Sequence, residues 1–183
     1  MKLLALSLSL ILLSGVVSAE IPQWVQPGVT ATYRTISGGW ANGGPVENNA
    51  ADFYITNQVD DVTARSTTGT VYIYNPHTGM TQTEQVTCLE GGSACLGRFW
   101  LDPDDPAGSY RDETGVTYTV MGETAFSALE RDWDAATMVY QNPGSGVTYT
   151  VIYDTQSGLI LAGSHEYPSQ KIYMTLQSTN ADV

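Results

Sequence analysis

Apolar and polar residues alternate in short runs along most of the chain, and the runs are separated by clusters of Gly, Asn, Asp, Ser and Pro. The clearest run is written twice: GVTYTV spans Gly115 to Val120 and again Gly146 to Val151. In the first copy Val116, Tyr118 and Val120 share one side and Thr117, Thr119 and Met121 the other; in the second, Val147, Tyr149 and Val151 oppose Thr148, Thr150 and Ile152. Period two marks a strand with one buried and one wetter face. The likeness extends to TGVTYTVMGET against SGVTYTVIYDT and dissolves beyond it. A duplicated unit would keep its resemblance over the whole spacing, and solenoids or propellers need at least three copies. The short match therefore reads as two strands in equivalent settings of one meander, built from the Thr, Tyr and Val that suit a pleated surface.

The same pattern predicts strands at 116–121, 124–131, 135–141, 147–153, 159–166 and 170–178, divided by GE, DWD, NPGSG, DTQSG and YPS. Such spacing with short polar turns implies sequential antiparallel neighbours. The segment ETAFSALERDW reads as strand, with a short helix capped by Thr124 as the alternative. Upstream, GVTATYRTI, ADFYITNQVDDVTAR, GTVYIYN and MTQTEQVTC also read as strands, the last so polar that it belongs at an edge. SGGWANGGPVENNA reads as a long loop. The expectation is an all-β, mostly antiparallel meander of about ten strands, forming a strongly curved sheet, a half-barrel or a two-layer sandwich.

The first nineteen residues break the pattern. Lys2 precedes the apolar run LLALSLSLILL, and Val17-Ser18-Ala19 provides a small-residue cleavage site before Glu20. This is the form of a signal peptide, so 20–183 is expected to be a single exported β-rich domain. The run is shorter than the roughly 20 residues that a bilayer span needs, and no transmembrane segment is expected in the mature chain. Without Lys2, five Arg and one Lys stand against nineteen Asp and Glu, a net charge of −13. So acidic a surface repels phosphate backbones and argues against nucleic-acid partners.

Cys88 and Cys95 are the only cysteines, and they bracket LEGGSA, whose paired glycines permit a tight reversal. In an exported chain they are expected to form a disulfide. Two cysteines without nearby histidines do not make a four-ligand zinc site, and nothing in the sequence asks for a cofactor.

Catalytic patterns are sparse. Ser164-His165-Glu166 has the letters of a hydrolytic triad, but neighbours on a strand face opposite ways. His77 lies in the turn NPHTG. In FWLDPDDPAGSYRDETG, Asp102, Asp104, Asp105, Asp112 and Glu113 are calcium candidates by composition, although Pro103 and Pro106 already account for a rigid crossing connection. Trp24, Trp40, Trp100 and Trp133 fall near turns or segment ends and are expected to plug the ends of the sheet, with Trp100 beside Phe99 as the exposed exception. Phe99, Trp100, Tyr118 and Tyr149 are the candidate ligand or partner surface.

YDTQSGLIL, Tyr153 to Leu161, resembles the Y-D-x-x-[ST]-G-x-L-L hairpin of various exported β-sheet proteins, some of them similar to lipoprotein-carrier half-barrels. The resemblance covers nine residues and implies a curved antiparallel sheet whose concave face accepts apolar ligand; it transfers no catalytic residue. The long helices that those carriers pack into the concave face are not visible in this sequence. The first functional reading is a secreted or cell-surface binding or structural module, with an extracellular protein, a glycan or an apolar ligand as partner. A carrier of an apolar small molecule in a half-barrel comes second, and an acid-pair hydrolase third.

Overall fold

The computed structural model describes residues 20–41, 44–90, 95, 97–110, 118–167 and 170–183, with side chains at 38–51 excepted. Among the described residues, nine strands form one antiparallel sheet: β1 (Thr30–Ala41), β2 (Gly44–Val62), β3 (Ser66–Asn75), β4 (Met80–Leu89), β5 (Thr119–Ala128), β6 (Arg131–Gln141), β7 (Thr148–Asp154), β8 (Ile160–Glu166) and β9 (Gln170–Thr179). A four-residue helix, α1 (Pro106–Ser109), lies between β4 and β5. The order across the sheet is β4-β3-β2-β1-β9-β8-β7-β6-β5. Two meanders thus join through β1 and β9, and β4 and β5 are the outer edges. The expected all-β fold is present as a single open sheet.

Several boundaries differ from the sequence pattern. The predicted strands 116–121 and 124–131 are one strand, β5, with a bulge between Val120 and Gly122. GE and DWD lie inside β5 and β6, and the turn between those strands is Leu129–Glu130, both at positive φ of 55° and 60°. SGGWANGGPVENNA extends the β1–β2 ladder, where Gly38 pairs with Glu47 and Trp40 with Pro45. Backbone groups carry such a ladder, so glycine-rich sequence can occupy it. The two GVTYTV copies sit in unequal settings, since Thr119 and Val120 are exposed on an edge strand while Val147 and Val151 are buried. Residues 115–117 lie outside the described residues. β4 is the exposed polar edge that its composition predicts, and Cys88 at its end is bonded to Cys95.

Between β4 and β5 the chain must pass from one edge of the sheet to the other, about 38 Å if the sheet were flat. It does so by docking beside the start of β8. Trp100 bridges Leu159, Leu101 N donates to Gly158 O at 2.8 Å, and Ile160 N donates to Phe99 O at 3.0 Å. Gly158 makes this approach possible: its φ is +76°, and a Cβ there would stand 2.0 Å from Leu101 O. Asp154 organises the adjoining turn, accepting from Ser157 N at 2.8 Å. The Trp24 indole N–H closes the turn by donating to Ser157 O at 2.7 Å. Phe99, Trp100, Leu101, Tyr33, Leu159, Leu161 and Leu176 form the heart of the core.

Candidate functional site

Cross-strand pairing sets a row of side chains on one face of the sheet. Phe53 stands opposite Thr35, Thr35 opposite Met174, Met174 opposite Gly163, and Gly163 opposite Val151. These five residues come from β2, β1, β9, β8 and β7. In a flat sheet the outer two would be about 19 Å apart, yet all five line one cavity of about 400 Å³. The sheet is therefore strongly curved, and the cavity lies on its concave face. Ile55 and Asn57 of β2, Tyr33 of β1 and Ile172 of β9 extend the wall, and Arg98 and Tyr110 of the crossing connection complete it. The lining is largely apolar, and the cavity remains partly open.

The polar groups in this wall have distinct surroundings. Arg98 and Glu90 form an ion pair at 3.0 Å with side chains only 1% and 2% exposed, and Arg98 Nε also donates to Trp100 O at 3.1 Å. Burial pushes the Glu90 carboxyl above its ordinary range, and the Arg98 charge only partly offsets it. Burial also lowers the Arg98 guanidinium from its usual value. The Trp100 indole lies near enough to favour the charged carboxylate, but neither Trp100 Nε1 nor Glu90 Oε1 has a well-formed hydrogen bond. Tyr33 donates to Ile160 O at 2.7 Å, and desolvation pushes its hydroxyl well up, as it does that of Tyr110. Asn57 Oδ1 and Thr35 Oγ1 are buried without a hydrogen-bond partner.

The residues singled out from sequence fall elsewhere. Phe99 and Trp100 are each 1% exposed, so Trp100 is a deeply buried plug and not the exposed exception. Their rings meet edge to face at 5.1 Å. Trp133 is buried as well, and its indole donates to Ala128 O at 2.9 Å. Tyr118 and Tyr149 do share a face, with ring centroids 6.4 Å apart, but Tyr118 is buried against Tyr110 and Tyr140, and neither lines the cavity. Tyr149 approaches the cavity through His165, whose ring is 4.7 Å away.

Of the calcium candidates, Asp102 accepts from Glu20 N and Asp104 N, and Asp105 caps α1 by accepting from Gly108 N at 2.9 Å. Asp104 is exposed. Asp112 and Glu113 lie outside the described residues. Among the described residues, no three His, Cys, Asp or Glu side chains converge as a metal site would require. No helix there is long and apolar enough to cross a membrane.

No family model and no curated protein matches the chain. Among solved structures it is similar to a DUF1329 family protein from Desulfovibrio piger ATCC 29098. The identity is 8% over 85% of this chain and 87% of that one, with a TM-score of 0.27.

Sequence reasoning missed Phe53, Asn57, Arg98, Tyr110, Ile172 and Met174. A signal was present in ADFYITNQV, where Asn57 interrupts an otherwise apolar side made by Phe53, Ile55 and Val59. A lone polar residue on an apolar strand face points to a special environment.

Proposed function

We propose that this is an exported, non-catalytic binding domain that holds an apolar small molecule in the concave cavity. The observation that carries the reading is the cavity itself: about 400 Å³, walled by Tyr33, Phe53, Ile55, Val151, Ile172 and Met174 and left unfilled by the crossing connection. That volume falls within the range of small-molecule sites, and a few polar groups set in an apolar wall are their usual composition. His165 packs against Tyr149, and the carboxylates of Asp105 and Asp154 are engaged in a helix cap and a turn. Such placements support binding over hydrolysis. Export rests on the N-terminal apolar run and its small-residue cleavage site, and the Cys88–Cys95 bond is in keeping with an oxidising compartment.

The test is titration of folded, delipidated protein with the neutral fluorophore N-phenylnaphthylamine. Saturable enhancement at micromolar concentration is expected, and Ile172→Trp, which places a large ring in the cavity, should abolish it without lowering the unfolding midpoint. Enhancement that neither saturates nor responds to Ile172→Trp would remove the reading.

A further inference from the structure

Two unpartnered polar atoms face a largely apolar cavity. Asn57 and Thr35 are each 4% exposed, both line the wall, and neither Asn57 Oδ1 nor Thr35 Oγ1 has a hydrogen-bond partner. A buried polar group left unsatisfied costs about 1 to 3 kcal/mol, whereas an apolar residue of similar shape would cost nothing of the kind. In the β1–β2 register Thr35 stands opposite Phe53 and Ala31 opposite Asn57, so the two polar groups are about 13 Å apart along the wall. Tyr33 and Ile55 lie between them. Arg98, the arginine of the wall, is already engaged by Glu90 at 3.0 Å, and Asp102 adds negative charge nearby. The wall thus offers hydrogen bonds but no net positive charge.

Building on the proposed apolar cavity, we infer that its ligand is an elongated neutral amphiphile whose hydroxyl or amide N–H donates a hydrogen bond to Asn57 Oδ1. Thr35 provides a second polar contact partway along the chain of the ligand. An anionic head group, such as a fatty-acid carboxylate, would find Arg98, the arginine of the wall, already engaged by Glu90.

The experiment is displacement of N-phenylnaphthylamine by decanol, decanoate and decane at neutral pH. Decanol should displace the fluorophore at about tenfold lower concentration than either of the others, the equivalent of one hydrogen bond to a buried group. Asn57→Leu should erase the advantage of decanol over decane while leaving the unliganded unfolding midpoint unchanged or improved. Equal displacement by decanol and decane, or preference for decanoate, in the wild type overturns the inference. So does a strongly destabilised Asn57→Leu protein, because the amide would then have a structural partner. Failure of the fluorophore to bind at all would instead overturn the cavity reading on which the inference rests.

A different observation carries a second inference. Glu20 N lies 3.0 Å from Asp102 Oδ2, and Asp102 is 5% exposed. Its other oxygen accepts from Asp104 N at 3.0 Å, and no described cationic side chain is paired with it. We infer that cleavage after Ala19 converts the Glu20 nitrogen to an ammonium group that forms a partly buried ion pair with Asp102 and so fastens the crossing connection. Protein beginning at Glu20 should be compared with protein carrying one additional alanine before it, which keeps an N–H donor but moves the charge away. The extended form should unfold roughly 2 to 4 °C lower, and Asp102→Asn should remove the difference. Equal midpoints, or a mature terminus other than Glu20, would overturn the inference.

Discussion

The concave face has two halves that share strands and alternation but not packing. Leu161 and Leu176 are enclosed in one core with Phe99, Trp100 and Leu101 of the crossing connection, and Tyr33 stands at the boundary, buried yet lining the cavity. A short distance along the same strands, Phe53, Met174, Ile172 and Gly163 are only partly buried and border the cavity. A curved sheet provides one layer, and a packed core needs a second. The crossing connection supplies that second layer to one half alone. A packed core and an open cavity are alternatives in the sequence pattern; in the molecule they are neighbours on one face.

The largest effect should come from the packed half. Trp100→Ala removes a ring that is 1% exposed and meets Phe99 edge to face. A loss of about 3 to 5 kcal/mol is expected by chemical denaturation. A loss under about 1 kcal/mol would mean that the crossing connection is not the second layer.

Next comes the ion pair at the junction of the halves. Glu90→Leu removes the side-chain acceptor altogether, leaves the Arg98 guanidinium buried with Trp100 O as its remaining acceptor among the described residues, and should cost about 3 kcal/mol at neutral pH. Adding Arg98→Met should recover much of that loss, since an apolar pair needs no charge compensation. The pH dependence has a definite sign. Burial raises the Glu90 carboxyl above its ordinary 4.5, so the folded state holds this proton more tightly than the unfolded state. Its contribution is complete below that ordinary value and is lost as pH rises through the raised one. Denaturation midpoints of the wild type and Glu90→Leu, compared from the acid range to neutrality, should differ by that declining component.

The disulfide acts on the comparison indirectly, by anchoring the start of the crossing connection to edge strand β4. Replacing Cys88 and Cys95 by serine should cost about 2 to 3 kcal/mol on the loop-closure argument. It should also loosen the cavity wall that Cys95 and Arg98 help form, seen as weaker N-phenylnaphthylamine binding. Unchanged binding in the folded variant would show that the docking at Gly158 alone holds the wall.

These dependences explain what the sequence could reveal. Alternation, the DTQSG turn and the polar edge strand β4 are local properties, written in consecutive residues. The turn at Leu129–Glu130 was hidden because neither residue is the glycine that usually accompanies positive φ. The Arg98–Glu90 pair spans eight positions with no period to mark it. The cavity is less local still: Met174 and Gly163 have the same apolar or small character as core residues, and whether they are covered depends on where a connection far away in sequence crosses the sheet. LGRFWL offered the one hint, a cluster of large apolar residues outside any alternating run. Reading Trp100 as exposed overlooked that a connection crossing a concave sheet presents its largest side chains inward.

The smallest effect on stability should come from the open half, where binding should respond most. Met174 stands opposite both Thr35 and Gly163, in the middle of the curved row, and borders space on its remaining side. Met174→Ala enlarges an existing cavity and creates no new enclosed one. Few neighbouring groups lose packing, and a cost of about 1 kcal/mol or less is expected. Gly163→Val works in the opposite direction. Its Cβ would meet Thr150 O at 3.3 Å and the Met174 methyl at 3.6 Å, close approaches that a small shift can relieve, and its branches would occupy ligand space. The pair should therefore bracket the wild type in N-phenylnaphthylamine titrations, with capacity for bulkier apolar compounds increased by Met174→Ala and binding reduced by Gly163→Val. If Met174→Ala instead destabilises the fold as much as Trp100→Ala, the two halves are equally packed, and the distinction between core and cavity fails.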